Sequence, residues 1–180
     1  MNLKQKMRLS SFFCLAFLGA VARVQASSSK AASLYIPSLR YTAPVGWKKT
    51  EKKGANPSIT FRKNFDVIHV DFFGGKHSLC QTPRDFLANC DLGAWGKPHL
   101  IKKIRLSHHE VPLYQRKTPY HSPLKARGAV VMTKEEFCFL SLGKRFVVFR
   151  YAHQSPHADF LRFGEKAWMK FLASVQAAKK

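Results

Sequence analysis

Eight histidines give this 180-residue chain its most obvious candidates for metal binding or acid–base chemistry. His69 and Asp71 are two residues apart and share one face of a predicted strand, with His77 in the turn that follows. Two such side chains could begin a metal site, but no third ligand follows at a fixed spacing. We therefore expect an exposed polar strand face here and assign no metal ligand.

His108, His109 and Glu110 offer a general acid and a general base for phosphodiester cleavage. A small exported hydrolase such as a nuclease is therefore one alternative function. The same residues are also typical of a polar turn between two strands. A nuclease would need His108, His109 or His69 to converge in one cleft, and histidines dispersed over the surface would argue against it.

A thiol protease would need a reactive cysteine beside a histidine, and Cys138 with His153 is the candidate pair. Phe137 and Phe139 flank Cys138 in a predicted central strand, which favours a buried and unreactive thiol. The chain has no Gly-x-Ser-x-Gly elbow, no phosphate-binding glycine loop and no Cys-x-x-Cys pair. We assign no catalytic residue and no cofactor, and we keep a metal-binding accessory protein as a second alternative.

Positive charge is the main signal of the composition. The chain has 31 Lys and Arg against 10 Asp and Glu, a formal net charge of +21. Loss of a predicted signal sequence that holds four basic and no acidic residues leaves 27 minus 10, or +17. Because this excess is larger than solubility requires, it favours an anionic partner.

Basic residues recur in pairs at predicted turns and strand ends. These pairs are the candidate binding residues: Lys48, Lys49, Lys52, Lys53, Lys102, Lys103, Arg116, Lys117, Lys144 and Arg145. Candidate partners are an anionic envelope polymer, an acidic membrane surface or an acidic protein. Nucleic acid is less favoured, because no nucleic-acid-binding motif accompanies the charge. Trp47 and Trp95 lie beside lysines and could add apolar contact.

Residues 1–26 have the features of a cleaved secretory signal. Lys4, Lys6 and Arg8 precede the apolar core LSSFFCLAFLGAVA, which is shorter than a membrane span, and VQA ends at Ala26 with small residues for cleavage. The chain is therefore expected to be exported to the periplasm or the exterior.

An uncleaved membrane anchor is the alternative, because Arg23 interrupts the cleavage region. The mature chain has the length of one ordinary domain. We predict a flexible segment at 27–37 and a single domain at 38–178.

A short helix is predicted from Pro83 to Cys90. Thr82 is placed to cap it and Asp85 to complete a capping box, while proline suits the first helical position. Such a helix would hold Cys80 and Cys90 farther apart than the roughly 7 Å that a disulfide spans. We therefore expect these two cysteines not to pair.

Alternating and continuous apolar runs predict a series of strands: LRYTAP, SITFRK, DVIHVDFF, LIKKIRL, EVPLYQR, GAVVMT, EFCFLSL and RFVVFRY. The last two are apolar on both faces and need cover on both. Tight turns are expected near Asn64, at Lys134 and at Gly143 to Lys144. The lysine run after Trp47, GAWGKP and KTPYHSPLKAR are predicted as loops. Because Pro112 cannot donate a ladder hydrogen bond, its strand is expected at an edge of the sheet or with a bulge of its own.

The C-terminal segment has apolar residues at steps of three and four, which predicts a long amphipathic helix. They are Phe160, Phe163, Ala167, Trp168, Phe171, Leu172 and Val175. We predict an α/β fold of the α+β type, a single domain with a central antiparallel sheet covered by helices.

Two segments resemble the PsbP-like superfamily, which includes an extrinsic photosystem subunit, Ran-binding proteins and bacterial envelope lipoproteins. YTAPVGW at 41–47 resembles its opening strand and Gly-Trp turn, and FLASV at 171–175 is similar to the end of its last helix. The resemblance, over about residues 38–178, implies an antiparallel sheet between helical layers, a role in assembly or binding, and no site residue. We therefore predict an exported, non-catalytic binding or assembly protein that docks through basic loops to an anionic envelope component or an acidic protein.

Overall fold

The computed structural model describes residues 39–89, 95–121, 130–155 and 164–177. The elements in these ranges are β1 (Leu39–Arg40), β2 (Lys48–Lys52), β3 (Ser58–Lys63), β4 (Asp66–Phe73), α1 (Pro83–Asn89), β5 (Trp95–Leu106), β6 (His109–His121), β7 (Val130–Leu142), β8 (Arg145–His153), α2 (Glu165–Ser174) and β9 (Gln176–Ala177). The predicted signal sequence and the segment at 27–37 lie outside the described residues.

Seven strands form one antiparallel sheet in the order β2-β3-β4-β8-β7-β6-β5. Strands that follow one another in sequence are neighbours in this sheet, except that β4 lies beside β8. The chain therefore leaves β4, forms α1 and starts again at the far edge with β5. The two edge strands are β2 and β5, while β1 and β9 form a separate pair.

Tight turns at positive φ angles join three of the hairpins. The two residues between β5 and β6, Ser107 and His108, have φ angles of 47° and 70°. Positive φ at both positions is typical of a type I′ turn, whose twist matches that of the flanking strands. Asn64 between β3 and β4, and Gly143 between β7 and β8, also have positive φ, which confirms the turns predicted at these positions.

Two hydrophobic cores lie on opposite faces of the sheet. On one face, here called the α2 face, Cys138 and Phe149 pack with Trp168 of α2. On the other, the α1 face, Phe137 and Phe146 pack with an aromatic residue of α1. Alternate residues of β7 and β8 therefore point to opposite cores, as the two-faced apolar pattern predicted.

The predicted helix-covered α/β fold with a long C-terminal helix is wrong. The described helices have seven and ten residues, so the protein is mostly β and each helix covers only part of the seven-stranded sheet. The apolar spacing continues to Val175, but this residue is already extended, with φ −69° and ψ 129°. Phe160 and Phe163 lie outside the described residues. Neither described helix is long and apolar enough to cross a membrane.

Strand boundaries differ from the prediction at several places. The lysine run after Trp47 is a strand rather than a loop, because it pairs with β3 along its whole length. β5 begins at Trp95 inside one predicted loop, β6 continues to His121 inside another, and β7 passes through Lys134 without a turn. The strand predicted at LRYTAP ends at Arg40. Pairing with a neighbouring strand outweighs local composition in the longer strands.

Pro112 lies in β6 at a position that requires no ladder hydrogen bond toward β7. The two strands pair only from Tyr114 to His121, so Pro112 has no partner strand on that side among the described residues. Of the two register shifts between β5 and β6, the one nearer to Pro112 lies in β5 between Leu100 and Lys102. The predicted edge position is wrong, because β6 lies between β5 and β7, and the bulge near Pro112 lies in β5 rather than in its own strand.

The predicted capping box of α1 is confirmed. The backbone N–H of Asp85 donates to Thr82 Oγ1 at 3.1 Å, and the N–H of Thr82 donates to Asp85 Oδ2 at 3.0 Å. Cys80 precedes this helix, is buried and forms a disulfide whose partner lies outside the described residues. That Cys80 and Cys90 do not pair therefore stays a prediction.

Candidate anion-binding surface

The predicted binding residues do not form one surface. All of them are exposed except Arg116. Lys48 belongs to the edge strand β2 and Lys102 to the edge strand β5. Six strand spacings of about 4.8 Å separate these two edges, which therefore lie about 29 Å apart across the sheet. Lys117 lies in β6, and Lys144 and Arg145 lie at the turn between β7 and β8.

The densest group lies along β2 and β3, and we call it the basic edge. All five residues of β2 are exposed, and the end of β3 adds two cations that are not among the predicted binding residues. The basic edge consists of Lys48, Lys49, Lys52, Lys53, Arg62 and Lys63, with Glu51 as the one acidic residue of the two strands. In the sequence, the lysine run followed by SITFRK is the pattern that could have indicated this hairpin and its basic edge.

Strand alternation divides the basic edge between the two faces. Lys49 lies on the α2 face with Glu51, and their side chains form an ion pair of 2.6 Å between Nζ and Oε1. This hydrogen bond is the main reason that the pKa of Lys49 is raised. Lys48 and Arg62 are directly opposite each other on the α1 face. Like charges in this position repel and destabilise a sheet.

The α1 face of the basic edge also carries hydroxyl groups. Thr50 and Thr60 are directly opposite each other, one step along from Lys48 and Arg62, and Lys52 follows opposite Ser58. Among the described residues, no acidic side chain forms an ion pair with Lys48, Lys52 or Arg62. The surface therefore combines uncompensated cations with hydroxyl groups, which is the chemistry that binds phosphate, sulfate or carboxylate groups.

His69 adjoins this surface but does not add to its charge. Its Nδ1 lies 3.0 Å from Thr60 Oγ1. Burial, and to a lesser extent the positive charge of Arg150, lowers the pKa of His69 to about 4. The imidazole is therefore neutral at neutral pH. The strand face predicted to be exposed is half-buried at this position.

An internal ion network lies beside His69 on the α1 face. Arg150 Nε donates to Asp71 Oδ2 at 2.8 Å, and Arg150 Nη1 donates to Glu135 Oε1 at 3.3 Å. Arg116 Nε donates to Glu135 Oε2 at 2.6 Å, and its guanidinium lies 4.7 Å from the centre of the Phe137 ring. Two cations and two anions neutralise one another here. The network therefore adds no net charge to the basic edge.

Burial and charge oppose each other in this network. Burial lowers the pKa of Arg116, and Glu135 offsets part of that effect. Burial also acts to lower the pKa of Arg150, but Asp71 and Glu135 together raise it above its ordinary value. Because the guanidinium group keeps its proton in proteins, both arginines are cations. Arg116, which is 2% exposed, is therefore a structural cation and is not placed with the other nine candidate binding residues.

The histidines proposed for a nuclease site are not brought together. The row of paired residues from His69 runs through Arg150 and Phe137 to Tyr114, three strand spacings or about 14 Å away. His109 lies five residues, or about 17 Å, farther along β6. Among the described residues, no group of three or more His, Cys, Asp or Glu side chains is arranged to hold a metal ion.

Cys138 and His153 do not form a catalytic pair. Cys138 is fully buried, which confirms the prediction of a core thiol, and burial raises its pKa well above the usual range. His153 Nδ1 instead lies 2.8 Å from Asp66 Oδ1, which also accepts a hydrogen bond from Tyr151 at 2.8 Å. Trp47 is half-buried against the α2-face core, and the side chain of Trp95 lies outside the described part of the structure.

Comparisons with known proteins do not assign a family. No family model matches the chain, and no curated protein matches it. A crystal structure of a protein from Bacteroides thetaiotaomicron VPI-5482 is similar over 79% of this chain, with 12% sequence identity and a TM-score of 0.46. The match covers 46% of that longer protein. The resemblance to the PsbP-like superfamily stays a prediction.

Proposed function

We propose that this is an exported, non-catalytic binding protein whose basic edge docks to an anionic component of the cell envelope. The observation that carries the proposal is the concentration of uncompensated cations on β2 and β3, where Lys48 lies directly opposite Arg62. Folding brings these like charges together at a cost. An anionic partner offsets that cost when it binds.

The position of the basic edge suits an extended anionic surface. β2 is an edge strand and every one of its residues is exposed, so a flat or polymeric partner can approach it without rearrangement of the protein. A lysine beside an anionic surface contributes about 1 kcal/mol to binding. Several lysines acting together therefore give strong attachment that weakens as salt screens the charges.

A salt titration tests this proposal. The protein is purified from cells that express the whole chain, and its binding to dextran sulfate is measured at increasing sodium chloride. Neutralising Lys48 and Lys52 together, as Lys48→Gln and Lys52→Gln, should weaken binding about tenfold or more and reduce the slope of log K against log salt by about two.

The opposite edge of the sheet provides the matched control. Lys102→Gln with Lys103→Gln removes the same charge from β5, where both lysines are exposed, and should change binding less than twofold. Equal losses in the two double variants would show that total charge, rather than the basic edge, determines binding. N-terminal sequencing of the exported protein tests the export part of the proposal, with cleavage expected after Ala26.

A further inference from the structure

An exposed apolar turn lies next to the basic edge. Val45 is 90% exposed, the most exposed of the large hydrophobic residues that the structure describes. It lies in a turn closed by the hydrogen bond from the Trp47 N–H to the Pro44 carbonyl at 3.3 Å, with Gly46 at a φ of 75°. Lys48, the first residue of β2, follows directly.

The segment that carries this turn is anchored at both ends. Tyr41 packs its ring 5.9 Å from Phe61 and 5.6 Å from Phe171, measured between ring centres. The N–H of Thr42 donates to Ser174 Oγ at 2.9 Å, and Trp47 packs against the α2-face core. Val45 is therefore held outward by an ordered segment.

A groove separates this turn from α2. The cavity has a volume of about 390 Å³ and is lined by residues 42–45 on one side and by α2 on the other. Lys166 and Lys170 are four residues apart on α2 and form its cationic side, while Ala167 and Phe171 contribute apolar atoms. A groove with cationic and apolar walls matches a molecule that has an anionic head and an apolar chain.

Cations surround the exposed valine on several sides. The Nζ of Lys63 lies 3.7 Å from the position that a Cβ on Gly46 would occupy. Lys63, Lys166 and Lys170 form no ion pair with any residue in the described ranges. An apolar tip flanked by lysines is an arrangement that suits binding to the interface of an anionic bilayer.

We infer that the anionic component is a lipid bilayer, and that the 42–47 turn inserts Val45 into its interface while lipid headgroups lie against Lys63, Lys166 and Lys170. This inference rests on the proposed function of the basic edge. A soluble polyanion would use the lysines but would leave Val45 in water. The exposed apolar tip therefore favours lipid over an anionic polymer.

The experiment compares two anionic probes on the whole protein. One is vesicles of phosphatidylglycerol and phosphatidylcholine, with pure phosphatidylcholine vesicles as reference, and the other is dextran sulfate. Val45→Ser should weaken binding to the phosphatidylglycerol vesicles about fivefold or more, because it removes apolar burial, and should leave dextran sulfate binding unchanged. Lys166→Gln with Lys170→Gln should weaken vesicle binding by a similar factor.

Leu79 provides the control for an exposed apolar side chain elsewhere, since it is 80% exposed. Leu79→Ser should alter neither binding. A positive readout comes from Val45→Trp, whose fluorescence should shift to the blue on addition of anionic vesicles as the new indole enters the interface.

The outcomes separate the two proposals. One outcome is that Val45→Ser binds anionic vesicles as tightly as the original protein does, while Lys48→Gln with Lys52→Gln weakens binding to both probes. That result would overturn the lipid inference and leave the proposed role of the basic edge intact. Binding to dextran sulfate without binding to anionic vesicles would likewise overturn it in favour of a polymer or an acidic protein. Failure of the original protein to bind either probe would overturn the proposed function itself.

Discussion

The two faces of the sheet are covered by different kinds of buried side chain. On the α2 face, β4 contributes Ile68, Val70 and Phe72 to an apolar core. The buried acid on this face of β4 is Asp66, at the start of the strand, where Tyr151 and His153 bind it. On the α1 face, the same strand presents His69 and Asp71, and the aromatic core gives way to the ion network. The comparison shows that the alternation of side chains along one strand can place apolar residues in the core on one face and ion-pairing residues on the other.

The largest expected effect comes from breaking the network at its shared acid. Glu135 is 4% exposed and receives hydrogen bonds from both Arg116 and Arg150. Glu135→Ala should lower the free energy of unfolding by about 3–5 kcal/mol, because it leaves buried positive charge unpaired. Urea unfolding followed by circular dichroism measures this loss.

Replacing the whole set is the control for that variant. Three changes, Arg116→Met, Glu135→Leu and Arg150→Met, remove three of the four charges of the network and leave Asp71 unpaired. A fourth change, Asp71→Leu, therefore completes the set. The combined variant should be much closer to the original stability than Glu135→Ala alone. A loss below about 1 kcal/mol for Glu135→Ala itself would show that the network is hydrated and does not behave as a buried one.

A smaller loss is expected from bringing polarity to the α2 face. Cys138 is fully buried among apolar side chains. Cys138→Ser should cost about 1–3 kcal/mol, since the serine hydroxyl is more costly to bury than a thiol. Cys138→Val is the apolar control and should cost less. If the serine variant is the more stable of the two, the α2 face is more polar than its residues indicate.

A dependence of stability on pH provides a separate test of the α1 face. The pKa of His69 is about 4 in the folded protein, against an ordinary value of 6.5. Between these values the unfolded chain binds a proton that the folded protein does not, so the contribution is fully present above pH 6.5 and is lost as the pH falls toward 4. His69→Gln should therefore show a shallower decline in unfolding free energy over this window. Equal slopes in the two proteins would show that His69 does not titrate in this way.

The two-faced strands were predictable because their chemistry is local. Phe137, Cys138 and Phe139 alternate strictly, and an apolar residue at every position leaves no solvent-facing side. The α1 capping box was predictable for the same reason, since Thr82 and Asp85 are three residues apart.

Residue pairs that form across strands could not be predicted from local sequence. Arg116 looked like a surface cation beside Lys117, but alternation turns it inward and register places it opposite Glu135, 19 residues away. The lysine run looked like a loop because nothing within it indicates that β3 pairs with it. The basic edge was therefore visible only in part, and its cations on β3 depended on the hairpin register.

The lysines of β2 also oppose self-association of the protein. An edge strand presents backbone hydrogen-bonding groups that another copy of the chain could extend into a continuous sheet. Because every residue of β2 is exposed and three of the five are lysines, a second β2 strand brought alongside would meet the same charge. The residues proposed to hold an anionic envelope surface would then also keep the free protein monodisperse, and masking them with a soluble polyanion would remove that protection against aggregation.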